Sequence, residues 1–407
     1  GPESFTPDGM FMLGETAETK GLFLGCGMNS VGIASGGGAG MNLAHLIAKG
    51  HTAYDLSEAD AKRFAPVFNS VEHLMARAPE ILGTHYEIAL PGRQLSTARG
   101  RRQGPLSETH AANAAVTGQF FGWERPLYFG AAPARLTFER PDWFDAVGDE
   151  VRAAHEEAAL FDASPFGKIE VTGPEAERFL CHVCAGHLGR APGHVIYSPV
   201  LNARGTFEAD ITAQRLAEDR YRLFSGAAAI RRDLAWLRAQ APGFDVTIDD
   251  RTEALAVIGL MGPGAAAIAD RLGAPDMAAI GYFRHAEAVL AGIAVRAARL
   301  SYVGEAGWEI TCAAADAAGL YAALQGAGAR PAGLYAQTAM RIEKGFRAMG
   351  HELDGDITPV EAGLDAMVAA HRPFLGADAL ATRRAAPPAQ RVMTVLVEDE
   401  TTVPLGH

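Results

Sequence analysis

Two cysteines in a Cys-x-x-Cys spacing, Cys181 and Cys184, are residues whose types and spacing could do chemistry. Such a pair binds zinc when a second pair follows, or it forms a redox-active disulfide. The sequence has no second pair downstream, and the surrounding stretch GPEAERFLCHVC has the pattern of a helix. We therefore interpret the two thiols as small side chains packed in a core, and we predict no metal site.

A glycine-rich stretch, GGGAG at 36–40, lies between an apolar run at 22–24 and an apolar helical pattern at 41–48. The sequence predicts a strand, a turn made by the glycines, and a helix that stops at Gly50. A turn of this kind lets a ligand approach the backbone, and the first N–H groups of a helix attract an electron-rich group. The alternative is a tight turn without a ligand, which composition alone favours.

Several catalytic signatures are absent from the sequence. It contains no GxxxxGK[ST] phosphate-binding loop, no GxGxxG dinucleotide fingerprint and no HExxH zinc motif. A serine nucleophile elbow around Ser35 is excluded, because Ile33 stands where the first glycine belongs.

The composition of the 407 residues is that of a globular protein, with 48% hydrophobic and 21% charged residues. This length predicts two or three domains. The formal net charge of −12 argues against partners such as nucleic acid or an anionic membrane surface. Four cysteines are too few for a disulfide framework, which suits a reducing cytoplasm.

Strands and helices are interspersed after residue 106 without strict βαβ alternation, which predicts an α+β fold. The predicted strands are 168–172, 195–201, 207–213, 221–224, 254–260, 293–302 and 308–312, and the main predicted helices are 227–240, 264–272, 314–326 and 335–344. A further strand-like run covers 392–397.

Five stretches together resemble the dimethylglycine and sarcosine dehydrogenases. Residues 1–50 resemble the end of the FAD domain of these enzymes, and FGWERPLYF (121–129) resembles the entry into their folate domain. YSPVLNARGTFEADIT (197–212) resembles the loop shared by aminomethyltransferase-type folate domains, and two later signatures follow at 300–310 and 334–365. The matches run through essentially the whole chain in the order found in that family.

The resemblance implies four segments. Residues 1–50 would be the C-terminal tail of an FAD-binding oxidoreductase domain, and 51–105 a connecting segment. Residues 106–368 would be an aminomethyltransferase (glycine-cleavage T-protein-like) folate-binding domain, and 369–407 the start of a C-terminal β-barrel. We therefore expect the chain to be a fragment that lacks most of the FAD domain.

Asp210 is the catalytic residue that the resemblance implies. It closes NARGTFEAD, where the family keeps an acid that meets N10 of the folate. A carboxylate there would accept the N10–H hydrogen bond and stabilise positive charge while the one-carbon bridge closes. The alternative role is that of a turn cap. Glu208 is the second candidate acid, and we predict that it shares a face with Asp210 only if a bulge interrupts the strand.

Four further residues would line the folate by resemblance. Tyr302 and Glu305 flank a Val-Gly turn, and Glu305 would accept hydrogen bonds from the 2-amino group and N3–H of the pterin. Arg341 would face the folate, and Tyr335 would stack. The alternatives are an exposed glutamate in a hairpin turn, a helix ion pair between Arg341 and Glu343, and a core aromatic.

Flavin contacts are implied at the end of the FAD-like segment and would matter in the complete protein. These residues are Asn29, Ser30, Val31, Gly32 and Ile33.

The resemblance implies the folate-binding part of an FAD-dependent N-methylamine dehydrogenase. The FAD half oxidises the amine to an iminium, and the folate half captures the one-carbon unit on tetrahydrofolate as 5,10-methylenetetrahydrofolate. The alternatives are a glycine-cleavage aminomethyltransferase, which the tail at 1–50 disfavours, and a non-catalytic folate-fold scaffold packed against the oxidase. The implied partners are folate, a small methylated amine, and a second copy or an electron-transfer flavoprotein, in a bacterial cytoplasm. The particular amine stays open.

Overall fold

Two β-sheets of five and six strands form the centre of the molecule. A computed structural model describes residues 3–133 and 135–399. In this part of the chain, helices cover one face of each sheet, and two further two-stranded ribbons lie before the sheets in sequence. The predicted α+β fold is confirmed. None of the helices described is long and apolar enough to cross a membrane.

The elements follow each other in an irregular order of strands and helices. The helices are α1 (Gly32–Lys49), α2 (Val71–Thr84), α3 (Ser107–Ala112), α4 (Phe144–Glu156), α5 (Ala176–Val183), α6 (Ile230–Gln240), α7 (Ala265–Arg271), α8 (Ala317–Gly326), α9 (Leu334–Glu343) and α10 (Ala377–Arg384). The strands are β1 (Met12–Glu15), β2 (Phe23–Cys26), β3 (Ala115–Phe120), β4 (Trp123–Phe129), β5 (Ala159–Asp162), β6 (Gly167–Thr172), β7 (Val195–Leu201), β8 (Phe207–Ala217), β9 (Arg220–Ser225), β10 (Thr247–Asp250), β11 (Leu255–Met261), β12 (His285–Leu290), β13 (Ile293–Ala298), β14 (Gly307–Ala313) and β15 (Arg330–Ala332).

The two large sheets face each other. The five-stranded sheet has the order β10-β6-β9-β8-β7, and the six-stranded sheet has the order β12-β13-β14-β11-β5-β15. All neighbouring strands are antiparallel except β15, which runs parallel to β5. Phe224 of one sheet packs with Val257 of the other, and the amide of Val195 donates to Phe283 O at 2.9 Å. Side chains on the two facing surfaces therefore share one space.

The predicted glycine turn at 36–40 is wrong, because these residues lie inside α1. The amide of Ser35 already donates to Val31 O, so the helical ladder is established before the glycines begin. Each glycine costs about 1 kcal/mol of helix propensity relative to alanine, but the residues that follow are good helix formers. The predicted end at Gly50 is confirmed: its φ is 76°, and its amide donates to Leu46 O.

The strand predicted at 392–397 is also wrong. Residues 391–399 form no strand, although the amide of Val392 donates to Glu361 O at 2.9 Å. A strand needs a neighbouring strand along its length, and none lies beside this run in the part of the chain that the structure describes. The described residues of the expected β-barrel segment, 369–399, contain α10 and no strand.

Glu150 of α4 joins three elements through its buried carboxylate. It accepts hydrogen bonds from Phe129 N at 2.6 Å, at the end of β4, and from Gly333 N at 2.8 Å, where α9 begins. Its side chain is 5% exposed, and burial raises its pKa to about 7.

We expect Glu150→Gln to lower the free energy of unfolding by about 1–3 kcal/mol. An amide has one oxygen, so one of the two buried N–H groups would face an NH₂ group instead of an acceptor. Chemical denaturation at pH 7 measures the change, with the exposed Glu156→Gln as the control. Equal stabilities of the two variants would contradict the prediction.

Candidate functional site

Asp210 lies on β8 and faces the space between the two sheets. Its neighbours Ala209 and Ile211 pack in the core that α5 and α6 cover. Alternate residues of a strand point to opposite faces, so Asp210 points toward the six-stranded sheet. The strand pairing shifts at Glu208, which is the extra residue of a bulge opposite β7. The bulge that we required for Glu208 is therefore present.

The carboxyl group of Asp210 is held by a tyrosine of the neighbouring strand. Tyr197 Oη donates to Asp210 Oδ2 at 3.3 Å. The side chain is half-buried, and no ion pair engages it among the described residues. Burial raises the pKa of Asp210 to about 6, although the bond from Tyr197 and the charge of Arg232 oppose the rise. Such a group can both accept and release a proton near neutral pH.

Tyr302 lies close enough to Asp210 for the two groups to interact electrostatically. Its hydroxyl donates to Arg347 O at 3.1 Å, and its ring stacks on Phe346 with centroids 6.2 Å apart. Burial raises the pKa of Tyr302 to about 12, the charge of Arg341 lowers it, and the charge of Asp210 adds to the rise. The structure therefore brings together the predicted residues Asp210 and Tyr302.

Arg341 supports the loop that holds Tyr302. Its side chain is buried and donates from Nη1 to Glu352 Oε2 at 2.6 Å and to Phe346 O at 3.2 Å. The alternative ion pair with Glu343 is wrong, because Glu352 is the partner. Glu352 lies 11 residues further along the chain, beyond the end of α9. A direct contact between Arg341 and folate stays a prediction.

The carboxylate of Glu305 is already contacted by a histidine and a lysine side chain. Its Oε1 lies 2.9 Å from His155 Nδ1 and 3.6 Å from Lys344 Nζ. The side chain of Lys344 also packs on Gly304, whose φ is 83° and where an added Cβ would lie 2.3 Å from Lys344 Cγ. These contacts fix the turn that follows Tyr302. Folate recognition by Glu305 stays a prediction.

Tyr335 lies on the first turn of α9 and packs in a group of three aromatic rings. Its ring centroid lies 4.7 Å from that of Trp143 and 6.1 Å from that of Tyr128. It packs against the core between α4, α9 and β4. This placement matches the alternative of a core aromatic, and stacking on folate stays a prediction.

Glu309 is a further candidate site residue, which we did not predict. On β14, Trp308 and Ile310 pack in the core beneath α7 and α8, so Glu309 faces the space between the sheets. Its strand neighbours are the small residues Gly259 and Ala298. Burial is the one cause that raises its pKa, to about 7. The sequence did contain a signal for this residue, namely an acid between two apolar residues in the predicted strand 308–312.

The connecting segment, 51–105, contacts the loop that leads to Asp210. Arg204 of that loop donates from Nη1 to Asp356 Oδ1 at 2.9 Å and to Ala53 O at 3.0 Å. Asp55 accepts from Gly355 N at 3.0 Å, and its own amide donates to Asp356 Oδ2 at 2.9 Å. Residues 53–55 are therefore fixed directly beside the loop.

The predicted flavin residues form the entry to α1. Asn29 is buried with φ 45°, and its Nδ2 donates to Gly27 O at 2.6 Å; Ser30 follows with φ 67°. Val31 precedes the helix, Gly32 begins it, and the side chain of Ile33 is fully exposed. No side chain caps the helix, and its first turn holds no acid, so its first amides can donate to a ligand.

The cysteine pair packs as we interpreted it. Cys184 is buried, Cys181 is half-buried, and both thiols are free. Burial raises the pKa of Cys184 to about 12, which keeps it protonated.

Comparison with known proteins agrees with this architecture. The GCVT N-terminal domain family matches residues 106–372, and the FAD dependent oxidoreductase central domain family matches residues 49–103. The chain belongs to the GCVT N-terminal domain family. The predicted resemblance and the aminomethyltransferase-like fold are confirmed.

Similar proteins include several oxidoreductases. The chain is 35% identical to 4-methylaminobutanoate oxidase (formaldehyde-forming) of Paenarthrobacter nicotinovorans, over 98% of the chain and 50% of that protein. It is 32% identical to human mitochondrial sarcosine dehydrogenase (98% and 49%) and 29% to human mitochondrial dimethylglycine dehydrogenase (100% and 48%). The chain spans about half the length of these relatives. The glycine cleavage system aminomethyltransferase T of Bartonella henselae has a TM-score of 0.63, 28% identity, and coverage of 71% and 76%.

Proposed function

We propose that the chain is the tetrahydrofolate-binding part of an FAD-dependent N-methylamine dehydrogenase, and that it captures the one-carbon unit as 5,10-methylenetetrahydrofolate. The observation that carries the proposal is Asp210, an acid with a pKa of about 6 in the space between the sheets. Tyr302 lies close enough to interact with it electrostatically, and Glu309 faces the same space.

Glu309 suits the pterin better than Glu305 does. A carboxylate accepts two hydrogen bonds side by side, which matches the 2-amino group and N3–H of a pterin. Glu305 already binds His155 and Lys344, whereas the pKa of Glu309 responds to burial alone. Burying an unpaired acid costs free energy, which a ligand with two donors would recover.

The chemistry needs a group that moves protons. Formaldehyde and tetrahydrofolate combine when N5 and N10 both bond to the carbon, and the oxygen leaves as water with the two N–H hydrogens. Asp210 would accept the proton from one nitrogen and return it to the departing hydroxyl group. Its carboxylate, ionised again once the hydroxyl group has left as water, would stabilise the iminium until the second nitrogen closes the bridge and gives up its proton.

The entry to α1 suits a flavin. The uncapped amides of this helix and its dipole would favour the pyrimidine edge of the flavin, which gains negative charge on reduction. When bound in the complete protein, FAD would accept a hydride from the N-methyl group. The three oxidoreductases named above take their names from methylated amines that carry a carboxylate, so we expect a substrate of that class.

The experiment that tests the folate half is a calorimetric titration of this chain with 5-formyltetrahydrofolate. We expect binding in the micromolar range, because two acids and two tyrosines line the space. Circular dichroism on the same sample would establish that the chain is folded. A folded chain that does not bind would contradict the proposal and favour the non-catalytic scaffold.

A further inference from the structure

A small cavity lies behind the proposed catalytic strand. It is found between α6 and the five-stranded sheet, on the face of β8 opposite to Asp210, and its volume of about 10 Å³ suffices for the centre of one water molecule. Its wall is mainly apolar, with Leu223 and Trp236 among its residues. Ser225 and Asp233 provide polar atoms.

Two buried polar atoms of this wall lack hydrogen-bond partners in the described part of the chain. They are Asp233 Oδ1 and Ser225 Oγ, on side chains that are 5% and 3% exposed. Buried polar atoms in proteins are nearly always paired, with protein or with an ordered water. A carboxyl oxygen and a hydroxyl group beside a space of this size are what a bridging water requires.

Arg232 connects the cavity to the catalytic side of the strand. Its Nε lies 3.6 Å from Asp233 Oδ1 without a hydrogen bond, and its Nη2 donates to Glu208 O at 2.6 Å. The acids around this guanidinium also include Asp55 and Asp60. The guanidinium of Arg232 therefore lies among several carboxyl groups and interacts electrostatically with each of them.

We propose that one water molecule occupies this cavity and bridges Asp233 and Ser225, and that Asp233 is a positioning residue that acts on Asp210 through Arg232. The second half rests on the proposed function. A protonated Asp233 leaves the Arg232 charge free to favour ionised Asp210, whereas an ionised Asp233 attracts Arg232 and repels that ionised form.

The groups around Asp233 and Arg232 set the pKa of Asp233. Burial raises the pKa of Asp233 to about 7; the charge of Arg232 opposes this rise, and the charges of Glu208 and Asp210 add to it. The hydroxyl of Ser225 lies close enough to the carboxyl group to lower this pKa, although no hydrogen bond of good geometry joins the two groups. Asp233 therefore changes its charge in the range where Asp210 also does. Asp210 is itself one of the charges that raise the pKa of Asp233, which links the two carboxyl groups.

The test is the titration of Asp210 followed by NMR of carboxyl-¹³C-labelled aspartate, without folate. We expect the pKa of Asp210 to fall by roughly half a unit in Asp233→Asn, which removes a negative charge and releases Arg232. Arg232→Gln should move it upward and provides an independent variant if the first does not fold. The exposed Asp249→Asn is the control.

Unchanged titration of Asp210 in folded Asp233→Asn and Arg232→Gln would overturn the positioning role. A crystal structure should show one ordered water within hydrogen-bond distance of Asp233 and Ser225, and this water should be lost in Ser225→Ala. A dry cavity would overturn the water site. Since neither measurement uses folate, failure of the proposed function would be seen separately, in the 5-formyltetrahydrofolate titration.

Discussion

Asp210→Asn is expected to slow the formation of 5,10-methylenetetrahydrofolate by about 10²–10⁴-fold, the usual contribution of a positioned general acid–base group. Asparagine keeps the size of the side chain and can still accept a hydrogen bond from Tyr197, but it cannot take up a proton. The assay supplies this chain with formaldehyde and tetrahydrofolate and measures the rate above the spontaneous condensation. The exposed Asp249→Asn is the matched control.

The pH dependence of the same rate distinguishes catalysis from structure. The folded-state pKa of Asp210 is raised to about 6, so the ionised base accumulates as the pH rises through that value. We expect the wild-type rate to rise through pH 6 and the Asp210→Asn rate to lack this rise. A variant with the wild-type rate and pH profile would contradict the assigned role.

Stability should move in the opposite direction to activity. An acid with a raised folded-state pKa destabilises the fold as the pH rises from its unfolded value, near 3.9, through about 6. Asp210→Asn should therefore have a higher melting temperature than wild type at pH 7.5, and the difference should disappear below pH 4. Gain of stability with loss of activity is typical of a functional residue.

The sequence predicted the parts of the fold that local pattern controls. The bounds 195–201 were correct for β7, because apolar residues and a β-favouring composition cover that strand. Local pattern failed at 36–40, where the glycines continue a helix begun by earlier residues. It failed again at 392–397, since an apolar run becomes a strand only when another strand lies beside it.

Site residues inside a sequence motif could be predicted, whereas contacts between residues far apart in sequence could not. The loop NARGTFEAD pointed to Asp210, and the structure places that acid between the sheets. The partner of Glu305 is His155, 150 residues earlier, and no spacing could have revealed the pair. Glu309 could have been predicted, because in a strand its side chain points to the face opposite to the apolar Trp308 and Ile310.

Glu309→Gln is expected to weaken binding of 5-formyltetrahydrofolate by about 10–100-fold, because hydrogen bonds to a charged group contribute about 1.5–3 kcal/mol. Glu305→Gln removes the same charge from the same segment and should change the affinity less than about threefold, since that carboxylate binds His155 and Lys344. Calorimetry at pH 8 compares the two variants as a matched pair.

The pH dependence of affinity tests the same assignment without mutation. The donors of a pterin favour an ionised acceptor, and burial raises the pKa of Glu309 to about 7. Wild-type affinity should therefore fall as the pH drops from 8 to 6, and Glu309→Gln should show a weaker dependence. A larger loss of affinity in Glu305→Gln than in Glu309→Gln would instead support Glu305 as the acid that reads the pterin, with its ion pairs exchanged for the ligand on binding.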